Sequence, residues 1–186
     1  LIEARGRVAG LIHLLPLSEL SKTANLKSKA SSEPESCEKQ EYTNIRSLFV
    51  MARAFAALSG SSAESPVMFT TARLGGSFGI ENASSIDPVQ GALPGFVKTF
   101  AREYPKSRAR CIDFAEDIDK KSIADLIMQE LFVLDQALTE VAYKGNLRRT
   151  VVATPTALET DERSGTLGTF SLKPGSLVLV TGGARG

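Results

Sequence analysis

The chain has 186 residues, which permits one domain of ordinary size, or one and a fragment. Apolar residues make up 42%, enough for a globular core, and 22 Lys plus Arg against 21 Asp plus Glu leave no global field to recruit nucleic acid or an anionic membrane. No apolar run approaches a span of ~18 residues, and the first residues carry Glu3, Arg5 and Arg7 where a signal peptide would be continuously apolar. Cys37 lies in a polar stretch and Cys111 in an apolar one, so they suggest no disulfide framework. A reduced, cytoplasmic chain is the expectation.

In chain order, "RVAGLIHLLPL" (Arg7 to Leu17) is a short apolar run ended by Pro16, which suits a buried strand. Ser21 to Glu41 is rich in Ser, Lys and Glu and poor in large apolar residues, the composition of a mobile surface insertion. Asn44 is placed to cap a helix running through Leu58, whose apolar residues Ile45, Leu48, Phe49, Ala52, Phe55 and Ala56 recur at helical spacing. Pro66 to Ala72 is a second strand, followed by the Gly-rich stretch "RLGGSFGIENASSI".

Asp87 and Pro88 then form an N-cap and N1 pair for a helix to about Arg102. Val89, Leu93, Phe96, Val97 and Phe100 share one face, and Pro94 should kink this helix or move its true start later. Arg108 to Phe114 is a third strand. Ile123 to Ala137 is a third helix, striped by Ile123, Leu126, Ile127, Leu131 and Leu134. "TEVAYKGNLRRTVVATP" reads as a hairpin turning at Gly145-Asn146. A polar linker, Thr156 to Gly175, leads to a closing strand, Leu177 to Val180, and the Gly-rich turn Thr181 to Gly186.

Alternating strands and helices point to an α/β chain with a parallel sheet and helices on its faces. Three strands before the hairpin are few for such a sheet, so further strands are expected before Leu1. The chain opens on Leu1 and stops in a phosphate-binding type of turn, so both ends read as cut.

Isolated candidates for chemistry have plain structural readings. His13, the single histidine, lies in the strand-like "GLIHLL" and reads as a hydrogen-bonded core residue. Thr70 and Thr71 end a strand with no base near in sequence. Tyr104 reads as a packing residue with a wet hydroxyl. Tyr42 and Tyr143 are followed four residues later by Arg46 and Leu147, so neither makes a Tyr-x-x-x-Lys pair.

The ordered set "GLIHLLPL", "SPVMFTTARLGG", "DPVQGALPGFVKTFAREYPKSRARCIDF", "EVAYKGNLRRTVVATP" and "LKPGSLVLVTGGARG" resembles the ketoreductase region of a type I polyketide synthase, of the polyunsaturated-fatty-acid-synthase kind. The resemblance covers nearly all of the chain outside Ser21 to Glu41. It implies a degenerate, partial Rossmann-like sheet with helices on both faces and a C-terminal hairpin.

By the same resemblance, residues 1–155 are the latter part of the non-catalytic structural subdomain, 156–175 a linker, and 176–186 the first strand and Gly-rich loop of a catalytic short-chain dehydrogenase/reductase subdomain. The parent would reduce a β-ketoacyl group on an acyl carrier protein with NADPH. That cofactor would be held in part by Thr181, Gly182, Gly183, Arg185 and Gly186, with no cofactor bound by this chain alone. The implied partners are the catalytic half and the carrier protein; no nucleic acid or membrane partner is implied.

An active reductase of this family needs a Tyr, a Lys four residues on, and a Ser after the preceding strand. Aligned on "FAREY", those positions fall at Ile86, Gln90 and, within a residue, Ala72, which leaves no group able to protonate an alkoxide. Two readings follow: the structural part of a ketoreductase, or a Rossmann-like scaffold or binding module without a reductase partner.

Overall fold

The computed structural model describes residues 8–18, 42–59, 65–81, 86–155 and 173–179. By its contacts the chain divides into two units, Leu1–Val152 and Ala153–Gly186.

The first unit is built on a five-stranded sheet of β1 (Gly10–His13), β2 (Val67–Ala72), β3 (Arg108–Phe114), β4 (Glu140–Lys144) and β5 (Leu147–Thr150). Sheet order follows chain order. The first four strands are parallel and β5 returns antiparallel to β4. Among the described residues three helices connect the strands: α1 (Thr43–Ser59), α2 (Ala92–Glu103) and α3 (Lys120–Phe132). This is an α/β, Rossmann-like fold with helices on both faces and a C-terminal hairpin.

Strand alternation decides which face each helix covers. Met68, Ala72, Ala109 and Cys111 point to one face, where Leu48, Ala52 and Phe55 of α1 and Leu93, Val97 and Phe100 of α2 pack on them. Phe69, Ile112, Phe114 and Val141 point to the other, under Ile123 and Ile127 of α3. The chain steps the same way across the sheet at each crossover. Moving α3 to the opposite face therefore gives the third connection the opposite hand to the first two, a rare arrangement among parallel crossovers.

Several boundaries differ from the sequence reading, each for a local reason. The first strand is only Gly10–His13, because a 3-10 turn at Leu15–Leu17 takes up Pro16. Asn44 is not the cap of α1: Arg46 N–H already donates to the carbonyl of Tyr42 at 2.9 Å, so the helix begins at Thr43, two residues earlier than that cap implies, and Asn44 is buried inside it. Asp87 caps the 3-10 turn Pro88–Gly91 by accepting Val89 N–H. Pro94 then falls in the first turn of α2, where its missing N–H costs no helical bond.

The third helix is shifted from Ile123–Ala137 to Lys120–Phe132. Asp119 caps its start by accepting the N–H groups of Lys121 and Ser122. At its end Arg108 Nη1 donates to the carbonyls of Leu131 and Val133, and Arg110 Nη1 to that of Glu130, so guanidinium groups finish the helix at Phe132. Leu131 is then half-buried, and Leu134, beyond the helix, is 75% exposed and not part of the core.

In the second unit, Ser176 N–H donates to Lys173 across a turn at Pro174-Gly175, with Gly175 at φ +87°. Leu177, Val178 and Leu179, the described part of the expected closing strand, join no strand here and are largely exposed; an apolar segment needs a ladder neighbour to be a strand. Val180, the insertion Ser21 to Glu41, the linker residues 156–172 and the loop residues Thr181, Gly182, Gly183, Arg185 and Gly186 lie outside the described residues.

Candidate functional site

In an open α/β sheet, ligands sit beyond the carboxyl ends of the strands. Here that end is closed by the Gly-rich loop after β2. Gly75, Gly76, Phe78 and Gly79 all take positive φ, from +52° to +78°, which curls the loop back over the sheet. A Cβ on Gly76 would strike the Tyr143 carbonyl and crowd Ala115 and Lys144, so only glycine lets the loop lie against β4.

The loop wraps the carboxylate of Asp113, at the end of β3. Asp113 is fully buried; its Oδ1 accepts Leu74 N–H at 2.5 Å and its Oδ2 accepts Phe78 N–H at 2.8 Å. Burial pushes its pKa above the usual carboxylate value, against the pull of backbone N–H groups from Phe78, Leu74, Ser77 and Gly76. The loop's far end is pinned by Glu81, which pairs with Lys144 at 2.8 Å and Arg149 at 2.5 Å on the hairpin. The donors that could cradle an anion thus point inward, at a group belonging to the protein.

The three positions singled out by sequence come together beside this loop. Ala72 is completely buried at the end of β2. Gln90 Oε1 accepts the N–H of Arg73 at 2.7 Å. The Ile86 side chain lies over the glycines, 3.5 Å from where a Gly79 Cβ would stand. Arg73 Nη1 donates to the Ala115 carbonyl at 2.6 Å. None of Ala72, Ile86 and Gln90 offers a proton at this place, and each is occupied in packing or backbone support.

His13 is buried between two hydroxyls, its Nδ1 and Nε2 each 2.9 Å from Thr70 Oγ1 and Ser47 Oγ. Each hydroxyl also reaches a backbone carbonyl, Ser47 that of Asn44 at 3.0 Å and Thr70 that of Thr71 at 3.4 Å, so the ring is held on both sides by neutral partners. Burial lowers its pKa, which keeps it neutral. Thr71 donates to the His13 carbonyl. Tyr104 stacks on Phe100 with ring centroids 4.6 Å apart, and Tyr42 is exposed.

The sequence reading missed the main polar constellation, on the other face of the sheet. Glu130, 1% exposed, accepts hydrogen bonds from Tyr143 Oη (2.5 Å), Arg148 Nε (2.6 Å) and Arg110 Nη1 (2.5 Å). Arg110 also lies over the Phe69 ring, 5.4 Å from its centroid, and donates to the carbonyls of Leu138 and Asp135. Burial works to raise the Glu130 pKa, but the bonds from Arg148 and Tyr143 and the Arg110 charge outweigh it and hold the carboxyl low. Burial, then the bond to Glu130, pushes Tyr143 up to about 12. The available signal was "RARCIDF", where two arginines alternate within an apolar strand and so must point into a covered face.

Clefts among the described residues include the following two. One, of about 540 Å³, lies between the start of α3 and the hairpin turn. Its Asp119 is spent on capping, and its Tyr143 and Arg148 on Glu130. The other, of about 410 Å³ at the opposite end of the sheet, is lined by Phe55, Pro66, Phe100, Tyr104, Pro105 and Lys106. Among the described residues no group of three or more His, Cys, Asp or Glu converges to hold a metal, and no helix is long and apolar enough to cross a membrane. No family model matches the chain, and no curated protein or solved structure is found to be similar to it.

Proposed function

We propose that this chain is the structural, non-catalytic portion of a ketoreductase whose parent reduces a β-ketoacyl thioester on a carrier protein to the β-hydroxyacyl form. The observation that carries the reading is the closed strand end. Aligned on "FAREY", Ile86, Gln90 and, within a residue, Ala72 fall at the positions of Tyr, Lys and Ser in the resembled family, and the loop amides that could face a ligand are taken by Asp113. Such a half supplies a rigid support rather than chemistry.

NADPH, supplying the hydride, would belong to the catalytic half, which by the resemblance begins at Ser176. Here the loop residues Thr181, Gly182, Gly183, Arg185 and Gly186 would be its nearest contribution.

The test is a spectrophotometric assay of this chain with NADPH and a β-ketoacyl thioester. No oxidation above background is the expected result. Turnover that persists through purification and is lost on Gln90→Ala would overturn the reading. The scaffold alternative is separated by expressing the catalytic half alone: equal stability and activity without residues 1–175 would favour the scaffold.

A further inference from the structure

Helix α1 is apolar on the side that faces away from the sheet as well as on the side that packs against it. Leu48, Ala52 and Phe55 fill the core, while Phe49, Val50 and Met51 stand 52%, 63% and 42% exposed. A surface helix ordinarily carries its polar residues there, and one that is apolar on both sides is ordinarily covered. At 100° per residue, Arg46, Phe49, Val50, Arg53 and Ala57 fall in one outward stripe, with exposed Ala54 at its edge. The two alanines let another backbone come close. Phe49 also meets Phe96 of α2 edge-on, ring centroids 6.4 Å apart, so the stripe continues onto the seam between the helices.

The charge on this stripe has one sign. Arg46 and Arg53 are the only charged residues in the 17 of α1; both are exposed and neither is ion-paired among the described residues. Two copies packed antiparallel through this stripe would bring Arg46 against Arg53 with no carboxylate on either helix to offset them. An arginine at each end of an apolar patch instead complements a helix with carboxylates at matching spacing.

We propose that the outward face of α1 is a docking surface for an acidic amphipathic helix of another protein, with apolar residues laid on Phe49, Val50 and Ala57 and carboxylates on Arg46 and Arg53. The surface uses no residue of the strand-end site, and loss of peptide binding when the catalytic half is present would make that half the occupant and overturn the proposal.

The experiment uses two synthetic helical peptides of identical apolar pattern, one flanked by Glu and one by Lys, titrated against the full chain by fluorescence anisotropy. The Glu peptide should bind, more tightly at low salt, and the Lys peptide at least about tenfold more weakly. Arg46→Glu with Arg53→Glu should invert that preference. Both positions are exposed, and circular dichroism checks that the fold is kept. Equal binding of the two peptides, or no effect of the double substitution, would overturn the proposal. A dimer in sedimentation velocity that Val50→Glu dissolves would make a second copy the occupant and overturn it as well. So would binding that appears only after deletion of residues 21–41, which would make the chain's own Glu33, Glu35, Glu38 and Glu41 the occupants.

Discussion

Asp113 holds Phe78 from 35 positions away in the chain: its Oδ2 accepts the Phe78 N–H at 2.8 Å, and Phe78 sits at φ +52°, a region unfavourable for a bulky residue. Both carboxylate oxygens accept, so an amide in its place must turn an NH₂ toward a backbone donor. Asp113→Asn should therefore destabilise the fold by about 1–3 kcal/mol. Urea denaturation checks this, and an unchanged midpoint would mean that the loop is held by other contacts.

Removing the Glu130 charge strands Arg110, which is 1% exposed. Glu130→Gln should cost about 3–5 kcal/mol at neutral pH, the range for breaking a buried pair from one side. The pH dependence has a definite sign. Because the folded pKa is below the ordinary 4.5, the stabilisation is complete above pH 4.5 and is lost as pH falls through the folded value. Wild type should lose stability in that acidic window while Glu130→Gln lacks this loss.

Tyr143 provides an independent reading of the same cluster. With its pKa raised to about 12, its stabilising effect is complete below pH 10 and fades as pH rises toward 12. The ultraviolet absorbance of wild type minus Tyr143→Phe should show a step near pH 12. A step near pH 10 would show that the hydroxyl is not bound to Glu130.

Cys111 is fully buried, and burial pushes its thiol well above the ordinary range, with Asp113 and Glu140 adding to the effect. In a Cys37→Ser background the native protein should be inert to a thiol reagent and become reactive on denaturation. Rapid labelling of the native variant would contradict the described core.

The two ends of the third helical stripe should respond differently. Ile127, 7% exposed, should cost about 2–5 kcal/mol on truncation to Ala. Leu134, 75% exposed, should shift stability by no more than about 0.5 kcal/mol. Thermal melts of the two variants decide between these values.

Strand positions were legible because each carries a short apolar run between turn residues; Arg108–Phe114 matches residue for residue. Periodicity located the helices but not their ends. Those depend on partners distant in sequence, such as Arg108 reaching the Leu131 carbonyl, or on a cap whose apolar stripe starts later, as at Asp119. The hand of the third crossover was not legible, since "KKSIADLIMQELF" has an apolar stripe whichever face it covers. Glu130 was passed over because one acid on an otherwise amphipathic helix reads as solvated until the strand arginines are seen beneath it. At the strand end, the expectation that Ile86 and Gln90 replace a Tyr and Lys rests on alignment alone, while the use of Gln90 to hold the Arg73 N–H is legible only in the fold.

The strand order also bears on synthesis. Since each strand after β1 pairs with the one made just before it, none of β2 to β5 waits for a partner still inside the ribosome. The sheet can grow by accretion from β1 toward β5, with the antiparallel hairpin, whose loop is only Gly145-Asn146, closing last and fastest. Glu130 is translated before Tyr143 and Arg148 but after Arg110, so its charge meets one partner at once and the other two only when β4 and β5 arrive. The buried carboxylate thus acts as a completion latch, fully satisfied only when the final strand is in place.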